Sequence, residues 1–204
     1  MENFRLFLGL RLSEAATEYL SCKMQALSEA VSFRSWVHPA DLHVTLHFLG
    51  DTPVARVDAL SAAAAEAAAE FAPFALALTE AGTFGPRSAP RVLWSGLAEL
   101  AEPGGALAAL HAALGARLSA SGFATEARPF RAHVTLARGG AAGFSPAALE
   151  AAWRGAACDT PSAGAAQPEL APPAVWTADQ VTLLRTHLGR RPSYESIGEF
   201  PFSR

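Results

Sequence analysis

The sequence predicts a bilobal α+β fold, with two pseudo-symmetric, mainly antiparallel sheets, helices on their outer faces and a groove between them. Three observations carry this. The element order is strand-helix-strand-helix-strand-strand-helix-strand-helix-strand-strand, which lacks the regular βα alternation of a doubly wound parallel sheet. Two strand-like segments, LHVTLHFLG at 42–50 and AHVTLARGG at 132–140, share the tetrapeptide His-Val-Thr-Leu. Each copy also follows a strand and a helix, so residues 1–204 read as one domain made of two related halves. Their offset is too long, and their likeness too local, for a solenoid repeat.

Phe4–Leu10 has apolar residues on both sides, as a central strand does. Ser13 is a candidate N-cap for helix formers over 14–30. Trp36-Val37 leads past Pro39 into the first HVTL strand, which ends at Gly50-Asp51. Pro53 suits a first helical turn, and the alanine-rich run to Glu70 is a strong helix. Strands from Phe74 and Arg91 are joined by the Gly/Pro-rich GTFGPRSAP. A helix over about 104–121 carries Leu107, Leu110, His111 and Leu114 on one stripe. After the second HVTL strand come a helix near 145–153, a Pro/Ala/Gly-rich mobile loop at 159–174, and strands over Val175–Leu184 and Tyr194–Phe200.

Half of the 204 residues are apolar, enough for a sizeable core, and the net charge is −3. That charge argues against a protein coated in nucleic acid, although Arg128, Arg131 and Arg138 gather around the second HVTL. Cys22 and Cys158 make neither a CxxC metal site nor a disulfide framework; reduced thiols are the simpler reading. No signal peptide or membrane-length apolar run is seen, so a soluble, cytoplasmic monomer is expected.

On a strand, alternate side chains share a face. His43, Thr45 and His47 therefore lie together, as do His133 and Thr135, while the Val and Leu residues pack behind. Imidazole titrates near neutrality, so one ring can act as base and the other as acid. Threonine hydroxyls can donate to phosphate oxygens, and an arginine can hold the charge. In-line displacement at phosphorus needs a base on one side and an acid on the other. Phosphodiester chemistry without a metal or cofactor follows.

These motifs, with RLFLGLRLSE, WVHPADLHVTLHFLGD, RVLWSGL, GFATEARPFRAHVTLAR and LLRTHLGRRPSYESIGEFPF in order, resemble the 2H phosphoesterases. The nearest likeness is to the RNA 2',3'-cyclic phosphodiesterases, also called the 2'-5' RNA ligase family. The resemblance implies a bilobal fold and the opening of a terminal 2',3'-cyclic phosphate on RNA to a 2'-phosphate. It further implies that His43 is the acid and His133 the base, with Thr45, Thr135 and Arg131 holding phosphate. His38, Ala132 and Thr186-His187 depart from the family's usual residues, so substrate contacts could differ.

Trp36 could stack a terminal base. Phe48 could do the same, but it falls on the Val/Leu side and reads as core; Arg138 has the same parity unless the strand has ended, so a phosphate contact and a salt bridge stand equally. His47 is read as a hydrogen-bonded support and His111 as partly buried. A zinc site from His43, His47 and His133 is disfavoured, because strand positions i and i+4 lie roughly 13 Å apart. The alternatives to hydrolysis of RNA ends are end joining by the reverse chemistry, a phosphodiesterase for small cyclic nucleotides or ADP-ribose cyclic phosphate, and a non-catalytic RNA-binding module.

Overall fold

The computed structural model describes residues 2–101, 104–126, 128–158 and 174–203. Along these the chain forms β1 (Asn3–Arg11), α1 (Glu14–Ala30), β2 (Phe33–Trp36), β3 (His43–Pro53), α2 (Val57–Ala68), β4 (Phe74–Phe84) and β5 (Val92–Glu99). It continues through α3 (Ala106–Ala120), β6 (His133–Gly140), α4 (Pro146–Gly155), β7 (Val175–Ala178), β8 (Gln180–Thr186) and β9 (Tyr194–Pro201). Residues 159–173 of the expected mobile loop lie outside the described residues.

The α+β class is as expected, and the two halves meet edge to edge. Hydrogen bonding gives the order β7-β4-β5-β6-β3-β1-β8-β9, with β2 on β6. Every pairing is antiparallel. At the centre, β3 and β6 join through one residue pair, Val44 opposite Val134. The two halves diverge on either side of that pair, and β2 takes up the rest of the β6 edge.

Local chemistry sets the helix ends. Ser13 caps α1 by accepting from the Ala16 amide, and Ser145 caps α4 by accepting from Ala148. The Glu99 carboxylate accepts from the first amides of α3, Ala106 and Leu107, where the helix dipole favours an anion. Helices α2 and α3 pair with each other, α2 against β8 and β9 and α3 against β3; α1 pairs with α4, which lies against β4. One apolar core runs through both halves. Buried Lys23 donates to the Trp153 and Ala156 carbonyls, tying α1 to the end of α4.

Three expectations change. The strand expected over Val175–Leu184 breaks at Asp179: β7 pairs with β4 in one half, and β8 with β1 in the other. Apolar residues on both sides of Asp179-Gln180 hid the crossing, since both pieces carry buried residues. Strand β2 was not anticipated, because its four residues are too few to show a period. Cys22 and Cys158, expected as reduced thiols, form a disulfide between α1 and the chain beyond α4, with Cα atoms 5.7 Å apart. Their separation of 136 residues concealed this, because packing α1 on α4 is what brings them together.

Candidate active site

The two HVTL strands have the same backbone irregularity in the same place. Gly9 faces Thr45 and Leu8 faces His47, so Leu46 is an extra residue in β3. Trp94 faces Thr135 and Leu93 faces Ala137, so Leu136 is the extra residue in β6. A bulge of this kind places two consecutive side chains on one side of the sheet. Leu46 and His47 are both buried, as are Leu136 and Ala137.

Alternation then resumes with opposite parity, which corrects the reading of three residues. His47, expected beside His43, points into the core at 3% exposure. Phe48, expected in the core, is 38% exposed on the His43 and Thr45 side. Arg138 occupies the matching place in β6 and emerges with His133 and Thr135.

His43 and His133 are held alike. His43 Nδ1 donates to the Asp41 carbonyl at 2.6 Å, and His133 Nδ1 to the Arg131 carbonyl at 2.7 Å. A carbonyl only accepts, so in both neutral rings Nδ1 carries the proton and Nε2 keeps the lone pair. His43 Nε2 accepts from the Thr45 hydroxyl at 3.0 Å. With Val44 opposite Val134, the register puts His43 across from Thr135 and Thr45 across from His133. The two histidines are then diagonal neighbours, roughly 7–8 Å apart at the backbone. A pseudo-twofold through the valine pair exchanges them.

Burial holds both imidazoles below their ordinary range. His43 is lowered to about 4, first by desolvation and then by the Arg11 and Arg138 guanidiniums, against the opposing hydrogen bond to Asp41. His133 is lowered by desolvation and by Arg138, against its bond to Arg131. Arg138 therefore acts on both rings. Its charge suits an anion between them.

The surroundings of the two rings differ. His43 lies against Phe7 and Tyr194, with ring centroids 4.7 and 5.1 Å away. His133 meets the edge of Phe84 at 5.1 Å, and Phe84 rests on Trp94. In the first half, Asp41 (4% exposed) anchors the approach: its carboxylate accepts from the Ser193 and Tyr194 amides at 2.8 and 3.0 Å. Arg11 adds a bond to the Ala40 carbonyl, and His38 Nδ1 accepts from the Ala40 amide. Ahead of His133, Phe130 joins a stacked column that reaches back to β3. Phe130 stacks on His111 at 4.1 Å and His111 on His47 at 4.2 Å, while His47 Nε2 donates to the His111 carbonyl.

Of the expected site residues, His43, Thr45, His133 and Thr135 come together. Arg131 contributes its carbonyl to His133, and its side chain is exposed. Trp36 does not join them: it pairs with buried Ala137 and packs edge-on against Phe33. His47 faces away from His43, so the three-histidine zinc set does not form. Asp41, Tyr194 and the His111 column were missed as site residues, and for Arg138 the sequence left a phosphate contact and a salt bridge equally open. The equal length of the two motifs was the one signal that could have paired Arg138 with Phe48.

An antiparallel α+β chain with twin His-Thr strands facing one anion-friendly centre defines a two-histidine phosphoesterase type of protein. Residues 15–190 match the family model described as the 2'-5' RNA ligase superfamily. A Bacillus subtilis protein named RNA 2',3'-cyclic phosphodiesterase is 30% identical over 97% of this chain and 96% of its own length. A Geobacillus stearothermophilus protein of the same name is 36% identical over 98% of this chain, which spans 58% of that relative's length. The crystal structure of E. coli LigT covers all of both chains with a TM-score of 0.68 at 23% identity, a likeness of fold. The chain belongs to the 2'-5' RNA ligase superfamily.

Proposed function

We propose that the protein hydrolyses 2',3'-cyclic phosphate ends of RNA to 2'-phosphates by metal-independent acid–base catalysis. The observation that carries this is the matched presentation of two imidazoles, each with Nδ1 on a backbone carbonyl two residues upstream. That leaves two Nε2 atoms flanking one position, one for each side of a phosphorus centre. The names of the relatives supply RNA as the substrate class.

In this reading His133 Nε2 takes a proton from water as the water oxygen bonds to phosphorus. The bond from phosphorus to the 3' oxygen breaks, and His43 Nε2 gives its proton to that oxygen. The product is a 2'-phosphate beside a 3'-hydroxyl. Thr45 and Thr135 donate to the non-bridging oxygens, and Arg138 and Arg131 offset their charge. With His43 lowered to about 4, its proton must be acquired with substrate. The phosphate charge favours protonation of the ring, and it draws the Thr45 hydroxyl away from Nε2.

The test is turnover of a cyclic-phosphate RNA with and without chelator, in wild type and in His43→Ala and His133→Ala. Each variant should lose at least 10²–10⁴-fold in kcat with the fold intact, and chelator should have no effect. Full activity in either variant rules out the two-histidine mechanism. Adding an RNA with a 5'-hydroxyl shows whether joined product forms by the reverse reaction.

A further inference from the structure

The two imidazoles are walled in the same way by different residues. Tyr194 meets the His43 ring at 5.1 Å between centroids and 88°, and Phe84 meets the His133 ring at the same 5.1 Å and 88°. Both are the near-perpendicular contact that aromatic rings favour. The match between the halves thus reaches the aromatic neighbours, and there it fails at one group. Tyr194 carries a hydroxyl where Phe84 carries none.

The sheet shows where that hydroxyl goes. Tyr194 opens β9, which β8 separates from β1. Its ring nevertheless lies 4.9 Å from Phe7 of β1 and reaches His43 of β3. The side chain therefore crosses β8 and runs inward over the site face. Its hydroxyl, the atom farthest from the backbone, leads towards the seam between β3 and β6. Arg138, across that seam, acts on the phenol as it acts on both imidazoles. Among the described residues the hydroxyl has no hydrogen-bond partner, since Tyr194 meets Asp41 through its amide. Burial raises the phenol above its ordinary range, with Asp41 adding to this and Arg138 and Arg5 opposing it. At neutral pH the group keeps its proton and can donate.

An unused donor beside two threonine hydroxyls and an arginine suits an oxyanion. In the hydrolysis proposed above, charge grows on the His43 side as the bond from phosphorus to the 3' oxygen breaks. We propose that the Tyr194 hydroxyl is a further catalytic group, donating a hydrogen bond to a phosphate oxygen on the side from which the 3' oxygen leaves. This rests on the function proposed above and deepens it, because the hydroxyl makes the two sides of the centre unequal and favours departure beside His43. Tyr194 forms and breaks no covalent bond; the proton given to the 3' oxygen is still that of His43.

The test uses the whole chain with Tyr194→Phe, which keeps the ring against His43 and Phe7 and removes the hydroxyl alone. For a cyclic-phosphate RNA, kcat should fall about 10²-fold, with KM changing much less and Tm unaltered. Binding of adenosine 2'-phosphate should weaken roughly tenfold. The titration of His43 in the free protein, followed by NMR, should match wild type, because the hydroxyl acts on the phosphate and not through the ring. Wild-type kcat in Tyr194→Phe overturns the proposal. So does a lower kcat with a displaced His43 titration, which would make Tyr194 a positioning residue. If wild type opens no cyclic phosphate, binding of adenosine 2'-phosphate decides. A weaker complex with Tyr194→Phe keeps the hydroxyl as an anion ligand while the hydrolytic reading fails; equal affinity removes both.

Discussion

Replacing Asp41 with alanine should damage both the fold and the chemistry. Its buried carboxylate accepts two backbone amides from the start of β9, Ser193 at 2.8 Å and Tyr194 at 3.0 Å. Hydrogen bonds to a charged group contribute about 1.5–3 kcal/mol each, so removing both implies roughly 3–6 kcal/mol. Water can reach the hairpin end once the side chain is gone, which favours the lower part of that range, about 3 kcal/mol. For a chain of this size that is a fall in Tm of roughly 6–12 °C. Asp41→Asn keeps one acceptor and should lose about half as much. Urea unfolding followed by circular dichroism measures the stability, and cyclic-phosphate turnover at a permissive temperature measures the site. Turnover should fall as well, because the Asp41 carbonyl sets the Nδ1 proton of His43 and Tyr194 walls its ring. A loss below 0.5 kcal/mol in Asp41→Ala would refute the anchoring role.

Three further outcomes are expected. His43 is neutral in the fold with a pKa of about 4 against an ordinary 6.5, so the unfolded chain binds the extra proton first. Stability from this group is complete above pH 6.5 and is lost as pH falls towards 4, by about 3 kcal/mol; His43→Gln should flatten that part of the stability profile. Reducing the Cys22–Cys158 bridge, which closes a separation of 136 residues, should cost up to about 5 kcal/mol by loop entropy. An equal Tm with and without reductant would mean the thiols are unpaired in solution. His111→Ala removes the middle of the column that carries Phe130, and should lower kcat roughly ten- to a hundredfold with KM little changed. His111→Phe should restore most of it; a fall in Tm with unaltered kcat would make the column purely structural.

The sequence shows a good deal of this centre, because alternation on a strand is a local rule. It places His43 with Thr45 and His133 with Thr135, and it predicts the two-half architecture. It fails from the fourth residue after each histidine. One extra residue in a strand reverses the face of everything beyond it, and nothing in Leu46 or Leu136 announces a bulge. That is why Phe48 and Arg138 were read as facing away from the site, and His47 as facing into it. Asp41 illustrates a different limit. Its partners lie some 150 residues onward in β9, and no periodicity reports a side chain meeting amides across the fold. The broken strand at Asp179 belongs with these, since burial looks the same in either half.

The single valine pair at the centre bears on how the two imidazoles divide their work. A rotation that exchanges His43 with His133 gives the backbone no preference between donating and removing a proton. Any preference must come from what each half adds to its copy. Arg11, Asp41 and Tyr194 stand about one ring; Phe84 meets the other, whose strand follows Phe130 on the His111 column. The division of labour at this centre is thus set by side chains outside the repeated tetrapeptide, and exchanging those between halves should exchange which imidazole gives a proton and which takes one.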